Sequence, residues 1–328
     1  MRRRRSRLPA VVVATAVLLG TASTASDAQT GVATEGAVFL LLPVGARAVG
    51  LGHAVIAEGV GSEAIWWNPA GLARLDRYEA SIHHSQSLAA TGDAVSVILP
   101  FSVIGVFGLS ANVLNFGEQQ ITDNVTGEPI GIQLIRSFVF AATYSTTIGE
   151  KVNAGINYKV VQFRNDCSGA CVDVPEVAAT TSALDLGMQY DLSPLSPVTI
   201  GVAVRNLGLR VQVKDSEQAD PLPTRVQLGV AYRLPPIEQL RETELRVSGD
   251  LVDQLRIRSP SGRVGVELLY QKRYSVRAGY VLDDGGGPAI GAGVTAGGLL
   301  LDIARVMGGE LYSGVEGAPI HVSLRYLF

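Results

Sequence analysis

Apolar residues alternate with polar or small ones, with a period of two, in segment after segment of this chain. Between Lys151 and Val160 the apolar set comprises every second residue from Val152, and charged, amide or glycine residues lie between them. Successive side chains of a β-strand point to opposite faces, so this pattern predicts a strand with one apolar and one polar face. The same alternation recurs at 184–191, 198–205, 225–233, 263–270, 273–282 and 321–328.

Together with weaker segments, the pattern predicts fourteen strands, at about 78–89, 93–100, 104–116, 135–147, 151–164, 179–191, 198–206, 223–233, 243–252, 262–271, 273–282, 288–296, 298–307 and 319–328. Short turns alternate with mostly longer loops, which are predicted at 117–134, 165–178, 207–222, 253–261, 283–287 and 308–318. Outer-membrane barrels have short turns on the periplasmic side and long loops on the outside. The connection lengths therefore favour such a barrel.

The direction of the two faces separates two interpretations of this pattern. A soluble β-sandwich or periplasmic barrel would turn its apolar set inward, whereas a sheet in hydrocarbon must close on itself and turn the apolar set outward. The polar set here is rich in glycine and charge, which favours a lumen. We therefore predict an all-β membrane fold, a fourteen-stranded antiparallel outer-membrane β-barrel with a small N-terminal plug that contains short helices.

Aromatic content is only 6%, which is low for a barrel that should carry aromatic girdles at the membrane interfaces. The following aromatic residues fall on the predicted apolar faces: Tyr158, Tyr190, Tyr232, Tyr270, Tyr274, Tyr280, Tyr326 and Phe328. They predict a sparse girdle. The final Phe328 also resembles the terminal aromatic residue by which bacterial outer-membrane barrels are recognised.

The first 28 residues have the features of a secretory signal peptide, with five arginines, an apolar stretch from Ala10 to Leu19 and small residues before the cleavage site at Ala28. Removing its five arginines and one aspartate from 27 basic and 30 acidic residues leaves 22 and 29. This acidic balance argues against nucleic-acid binding. The predicted organisation is a signal peptide at 1–28, a plug at 29–77 and a transmembrane barrel at 78–328, in the bacterial outer membrane.

Two short helices are predicted in the plug. Ser62 is a candidate N-cap for a helix from Glu63 to Trp66. Asn68 followed by Pro69 is typical of an N-cap with proline at the first helical position, starting a helix from Pro69 to Leu75.

The run from Gly45 to Ala73, with Trp66, Trp67, Asn68, Pro69, Ala70 and Gly71 at its core, resembles the amino-terminal signature of the PorV/PorQ family, relatives of the FadL-type transporters of hydrophobic compounds. The resemblance implies a fourteen-stranded barrel with an N-terminal hatch. It implies two alternative functions: passage of hydrophobic molecules through a gated plug and a lateral opening, or binding of exported cargo as a type IX secretion shuttle. We expect the signature to fix the bend between plug and first strand, with direct ligand contact as the alternative.

Candidate chemistry elsewhere is limited. Cys167 and Cys171 fall in a predicted loop of an exported chain, which favours a local disulfide over a metal site with Asp166 and Asp173. His83 and His84 are adjacent in a strand, so they should point to opposite faces and share no metal. The sequence therefore predicts no metal, no cofactor and no catalysis.

Charged residues on the predicted lumen face form two alternatives, an ion-pair network that braces wall and plug or an anion-selective pore. The candidates are Arg205, Arg225, Arg246, Asp250 and Arg277. The predicted partners are a hydrophobic small molecule or lipid in the lumen, outer-membrane lipid and, for the shuttle, secretion components or exported proteins.

Overall fold

The computed structural model of the chain describes residues 35–87, 90–123, 126–170, 177–192, 197–211, 220–235, 242–254, 259–283, 286–307 and 319–328. The predicted signal peptide at 1–28 and the predicted loop at 308–318 lie outside these residues and stay predictions. Half of the predicted loop at 207–222, residues 212–219, lies outside them as well.

Fourteen antiparallel strands form one closed barrel, in which each strand pairs with its neighbours in sequence and β1 pairs with β14. The strands are β1 (Glu79–Gln86), β2 (Thr91–Phe101), β3 (Gly105–Thr122), β4 (Pro129–Ile148), β5 (Val152–Gly169), β6 (Val177–Asp191), β7 (Val198–Gly208), β8 (Arg225–Arg233), β9 (Thr243–Gln254), β10 (Ser261–Tyr270), β11 (Tyr274–Leu282), β12 (Pro288–Ala296), β13 (Leu299–Val306) and β14 (Ile320–Leu327). The predicted fold class and strand number are confirmed.

Strand lengths depart from the prediction in one region. The segments predicted as loops at 117–134 and 165–178 are in large part strand, because β3, β4 and β5 extend to Thr122, from Pro129 and to Gly169. Polar composition concealed the ends of β3 and β5, whereas the alternation of Ile130, Ile132 and Leu134 at the start of β4 was overlooked. The ladders between β3, β4 and β5 hold all three ends in the sheet. The four strands β3–β6 therefore form the tallest part of the wall.

The apolar faces of the strands point outward. Val95 and Val97 of β2 are about half exposed while Ser96 between them is buried, and on β10 Val266 is exposed while Glu267 is buried. The same alternation of exposed apolar and buried polar residues recurs around the barrel. The predicted orientation is therefore correct, and the inward-facing alternative is wrong.

An aromatic belt surrounds the end of the barrel that carries the short turns. Its members lie at or near the strand ends there: Tyr78, Phe101, Phe107, Tyr190, Tyr232, Tyr270, Tyr274, Tyr326 and Phe328. Tyr158 and Tyr280, which the sequence also assigned to a girdle, lie outside this belt. Phe328 stacks on both Tyr78 and Tyr326 with ring centroids 5.7 Å apart, so the belt continues across the seam between β1 and β14.

Residues 35–77, which we call the inner segment, run through the barrel with little regular structure. They contain α1 (Ala46–Gly50), α2 (Ala64–Trp67) and short 3₁₀ helices at Val38–Leu41, Gly61–Glu63 and Pro69–Arg74. No helix among the described residues is long and apolar enough to cross a membrane. Asn68 caps the Pro69–Arg74 helix by accepting a hydrogen bond from the Ala70 amide, as predicted, although the helix is 3₁₀.

Ser62 does not cap a helix, contrary to the prediction. The residue lies inside the 3₁₀ turn Gly61–Glu63, and no side chain caps α2. Its hydroxyl is instead 3.3 Å from Nε2 of His83 on the wall. The Ser62 hydroxyl therefore contacts the buried His83 side chain, whereas the local sequence pattern predicted that it would bind a backbone amide.

Paired glycines let the inner segment lie directly against the wall. Gly265 of β10 and Gly279 of β11 are register partners, and both face the backbone of Leu51 and Gly52. A Cβ at Gly265 would lie 2.5 Å from the Leu51 carbonyl oxygen, and one at Gly279 would overlap the Gly52 backbone. Only a residue without a side chain permits this approach.

We predict that Gly279→Ala destabilises the protein, because the added methyl group has to displace the inner segment. Overpacking of this kind typically costs about 1–3 kcal/mol. Gly249→Ala on β9 is the matched control, since the nearest atom to its added Cβ is 3.7 Å away. The temperature at which the folded, fast-migrating form converts to the slow form on a gel measures both variants. Equal temperatures for the two would contradict the prediction.

Candidate functional site

Polar side chains on the inner wall bind the irregular backbone of the inner segment. One Asp250 oxygen accepts hydrogen bonds from the Val55 and Ile56 amides at 2.8 and 3.0 Å. Gln189 donates to the carbonyl oxygens of Ile56 and Glu58, both at 3.0 Å. Because a buried peptide group without a partner is costly, these wall residues replace the hydrogen bonds that a regular element would make internally.

Ion pairs link the inner segment to four strands in an alternating chain of charges. Arg47 binds both oxygens of Glu267 at 3.0 and 2.9 Å, and Glu267 also accepts from Arg277 at 2.7 Å. Arg277 and Arg325 then share Asp302 at 2.7 and 3.1 Å. Burial alone would lower the pKa of Arg47, but the charges of Glu267 and Glu58 raise it above its ordinary value, so Arg47 stays charged.

A second contact is made within the inner segment. Glu63 accepts hydrogen bonds from the amides of Arg47 and Ala48 at 3.2 and 2.9 Å, which ties the turn before α2 to the start of α1. Burial raises the pKa of Glu63 to about 7, against the opposing effects of Arg325 and these two amides. Its protonation therefore changes in the neutral range.

The two tryptophans of the signature are buried, and histidine, lysine and arginine side chains lie close to their rings. Trp67 donates to the Val44 carbonyl at 2.9 Å, stacks on His53 at 5.2 Å and lies under the Arg205 guanidinium at 4.9 Å. Burial, followed by the charge of Arg263, lowers the pKa of His53 well below its ordinary value. The imidazole is therefore neutral, and Arg205 supplies the positive charge on the ring.

Asn68 and the Pro69–Arg74 helix, which contain the rest of the signature, lie against strands β4–β6 of the wall. Asn68 donates to the Ile56 carbonyl at 2.7 Å, which joins two separate turns of the inner segment, and the chain runs on to Tyr78 before β1 begins. Pro69 and Ala70 lie against Gly155 of β5, and Gly71 packs on Ala64. The signature residues thus contact the wall and the inner segment in this structure.

The predicted lumen charges all lie on the inner face, where most have a partner. Arg225 makes a two-pronged ion pair with Glu35 at 2.7 and 2.8 Å, and Arg246 pairs with Glu244 and more loosely with Glu267. Arg205, Asp250 and Arg277 make the contacts described above. Of the predicted disulfide, Cys167 lies at the end of β5, while Cys171 lies outside the described residues.

One cavity in the barrel is apolar. Its volume is about 430 Å³, and it opens at the long-loop end between the inner segment and strands β3–β5. The following residues line it: Gly36, Ala37, Val38, Phe39, Leu42, Phe116, Gln119, Ile135, Phe163, Val211 and Asp220. Phe39 meets Phe116 edge to face at 6.5 Å. The site can therefore accept a small hydrophobic compound and offers an aromatic surface to it.

Sequence reasoning missed the residues of this cavity, although the sequence contains a sign of it. Val161 and Phe163 continue the inward phase of β5 beyond Lys159, and Ile135 and Val139 do the same on β4. The inward phase of these stretches is therefore largely apolar, although Ser137 interrupts it on β4. A strand that faces lipid on one side needs such a second apolar face only where the lumen is apolar as well.

The described residues contain no group of three or more histidine, cysteine or acidic residues that could hold a metal ion. His83 is buried and His84 is exposed, so their side chains do lie on opposite faces of β1.

No protein-family model matches the chain, and no curated protein sequence does. Among solved structures, the Pseudomonas putida toluene transporter TodX, 12% identical, has a TM-score of 0.59 over 87% of this chain and 98% of its own. The Ralstonia pickettii toluene transporter TbuX, 11% identical, has a TM-score of 0.56 over 86% and 97%. The monoaromatic hydrocarbon channel CymD, 13% identical, has a TM-score of 0.56 over 90% and 98%. At these identities the likeness is one of fold.

We predict that Arg47→Met loosens the inner segment, because it leaves Glu267 with less compensation and frees the Gly59 carbonyl, which Arg47 binds at 2.6 Å. Breaking a buried pair typically costs about 3–5 kcal/mol. Amide hydrogen exchange of the inner segment measures the change. Arg164→Met is the control, since the Arg164–Asp166 pair on β5 is exposed and such pairs contribute about 0–1 kcal/mol. Equal protection in both variants would refute the prediction.

We also predict a pH dependence that arises from Glu63. Its pKa is raised from 4.5 to about 7 in the folded chain, so the protonated form is favoured by folding. The resulting stability is present below about pH 4.5 and is lost as the pH rises to about 7. The variant Glu63→Gln should flatten this part of the stability profile, measured by thermal unfolding between pH 4.5 and 8. Glu244→Gln, at the rim, should retain the profile of the unaltered protein.

Proposed function

We propose that this protein is a bacterial outer-membrane channel of the FadL type that passes hydrophobic small molecules. Two features support the membrane location: an outward apolar surface around a closed sheet, and an aromatic belt at one end of it. Both match the requirements of a sheet in hydrocarbon. The fold of the toluene transporters TodX and TbuX, which this barrel shares, supports the proposal.

The apolar cavity is the observation that carries the functional part. A lumen that served only as a water-filled pore would have polar walls throughout, but here the side toward β3–β5 is lined by Phe116, Ile135 and Phe163. Its volume of about 430 Å³ suits a compound with one or two rings, since ligand pockets commonly measure about 300–1,000 Å³. We infer that a monoaromatic hydrocarbon or a compound of similar size binds there.

Passage requires movement, because the inner segment fills the lumen below this cavity. Phe39 and Leu42 line both the apolar cavity and a smaller enclosed one beneath it. A shift of residues 38–42 is therefore the smallest change that would extend the cavity downward. The ladder between β3 and β4 is also interrupted between Asn115 and Glu118, beside Phe116. This interruption supports a lateral route through the wall for the same compounds.

The alternative from the sequence, a PorV/PorQ-type shuttle for secreted proteins, makes different demands. A shuttle would need cargo to bind its loops and would not need the apolar cavity. A gene deletion separates the two: loss of growth on a hydrophobic compound supports the channel, whereas loss of protein export with unchanged growth would overturn it. Fractionation with outer membranes and a heat-dependent gel shift would test the location.

We predict that Phe116→Asp lowers uptake of a radiolabelled monoaromatic hydrocarbon by whole bacterial cells about tenfold or more, relative to cells that carry the unaltered protein. The reason is that a carboxylate in the cavity disfavours an apolar ligand. Phe116→Leu keeps the cavity apolar and should retain most of the uptake. Both variants must show the heat-dependent gel shift of the unaltered protein. Equal uptake by Phe116→Asp and Phe116→Leu would mean that the compound takes another route.

A further inference from the structure

A small enclosed cavity lies under the apolar one. Its volume is about 20 Å³, which is room for about one particle the size of a water molecule. It has apolar walls from Phe39, Leu42, Val139 and other residues, and its polar lining comes from Asn112, Lys159, Arg205 and the two tryptophans. Every charged group in this lining is a cation.

Two hydrogen-bond donors of the lining are buried without an acceptor among the described residues. They are Nε of Arg205 and Nε1 of Trp66. Arg205 is only 6% exposed. Within the described part of the chain it makes one hydrogen bond, from Nη1 to the neutral carbonyl oxygen of Trp66 at 2.6 Å. Donors in such a place lose their hydration and need an acceptor in return.

The two cations of the lining differ in how their charge is compensated. Lys159 forms an ion pair of 2.6 Å with Asp185. Arg205, whose guanidinium lies over the Trp67 ring, forms no ion pair with a carboxylate among the described residues. Arg263 lies 5.9 Å from the centre of the same Trp67 ring and forms no such pair either. The carboxylates of Asp185 and Asp250 attract the Arg205 charge only from beyond ion-pair distance. A buried charge without a paired partner is costly, so a negative counter-charge beside Arg205 would stabilise this part of the lumen.

We infer that the enclosed cavity binds one monovalent anion of halide size, held by Arg205 and the Trp66 indole as a counter-ion in the lumen. The volume decides the class, because a carboxylate group with three heavy atoms needs more space than about one water. The anion accepts hydrogen bonds from the two free donors and lies within the field of Lys159. This inference goes beyond the proposed transport and does not depend on it.

The two tryptophans provide the measurement, because the chain has no others and both line the cavity. The full-length protein in detergent is titrated with sodium bromide in sodium sulfate of matched ionic strength, and tryptophan fluorescence is recorded. Bound bromide should quench to a plateau, and chloride should reverse the quenching by competition. Collisional quenching would instead increase linearly and would be insensitive to chloride.

The variant Arg205→Gln should raise the half-saturating bromide concentration about tenfold or more, since it removes the charge and a donor. Arg205→Lys keeps the charge and should give an intermediate value. Arg225→Gln on the adjacent strand is the matched control and should behave as the unaltered protein, because Arg225 already pairs with Glu35. Equal heat-dependent gel shifts establish that all three variants are folded.

Three results would overturn the inference. Linear quenching, identical in the unaltered protein and Arg205→Gln, would mean that the cavity holds water only. An equal loss of saturation in Arg225→Gln would mean that the effect follows general charge in the lumen. Displacement of bromide by octanoate but not by chloride would assign the site to the acidic end of a larger ligand.

Discussion

The structure depends on hydrogen bonds from the barrel wall to the backbone of the inner segment. Residues 35–77 have few internal hydrogen bonds of regular secondary structure, and yet almost all of residues 44–72 are buried. Asp250, Gln189, Asn157 and Arg205 supply the missing partners. A polar lumen therefore does not imply an open pore, because in this barrel the polar side chains serve the chain that fills it.

The lumen has a charged side, where ion pairs hold the inner segment, and an apolar side, where the candidate ligand cavity lies. The side formed by β10, β11, β13 and β14 holds α1 through the chain of ion pairs from Arg47 to Arg325. The side formed by β3–β5 is apolar near the long loops. Breaking one of these buried ion pairs would leave an unpaired charge and cost about 3–5 kcal/mol, whereas an apolar contact can slide without such a cost. Movement of residues 38–42 is therefore compatible with a fixed α1.

The sequence was sufficient for the fold because one physical requirement, an apolar outer face and a polar inner face, produces a period of two in most of the strands. It also placed Asn68 as a cap, since that interaction spans only two residues. It failed where the partner is distant in sequence. Ser62 has the local pattern of an N-cap, but its hydroxyl contacts His83 of the wall. Nothing in the sequence around Ser62 predicts that contact. The ends of β3 and β5 were missed because their polar composition is typical of loops, while the adjacent ladders hold them extended. The start of β4 does carry a strand pattern, in Ile130, Ile132 and Leu134, and could have been predicted.

The anchors of the inner segment have a consequence for how the protein is assembled. The Ala46 amide donates to Ser323 across 277 positions of sequence, and Arg47 reaches Glu267 across 220. Contacts of such separation form late, because the intervening chain has to be ordered first. The inner segment, which is synthesised before the strands, therefore gains these contacts only after β10 and β14 are in place. Pairing of β1 with β14 then encloses the segment in the barrel. Any factor that inserts this barrel therefore has to accommodate the inner segment and the strands around it at the same time.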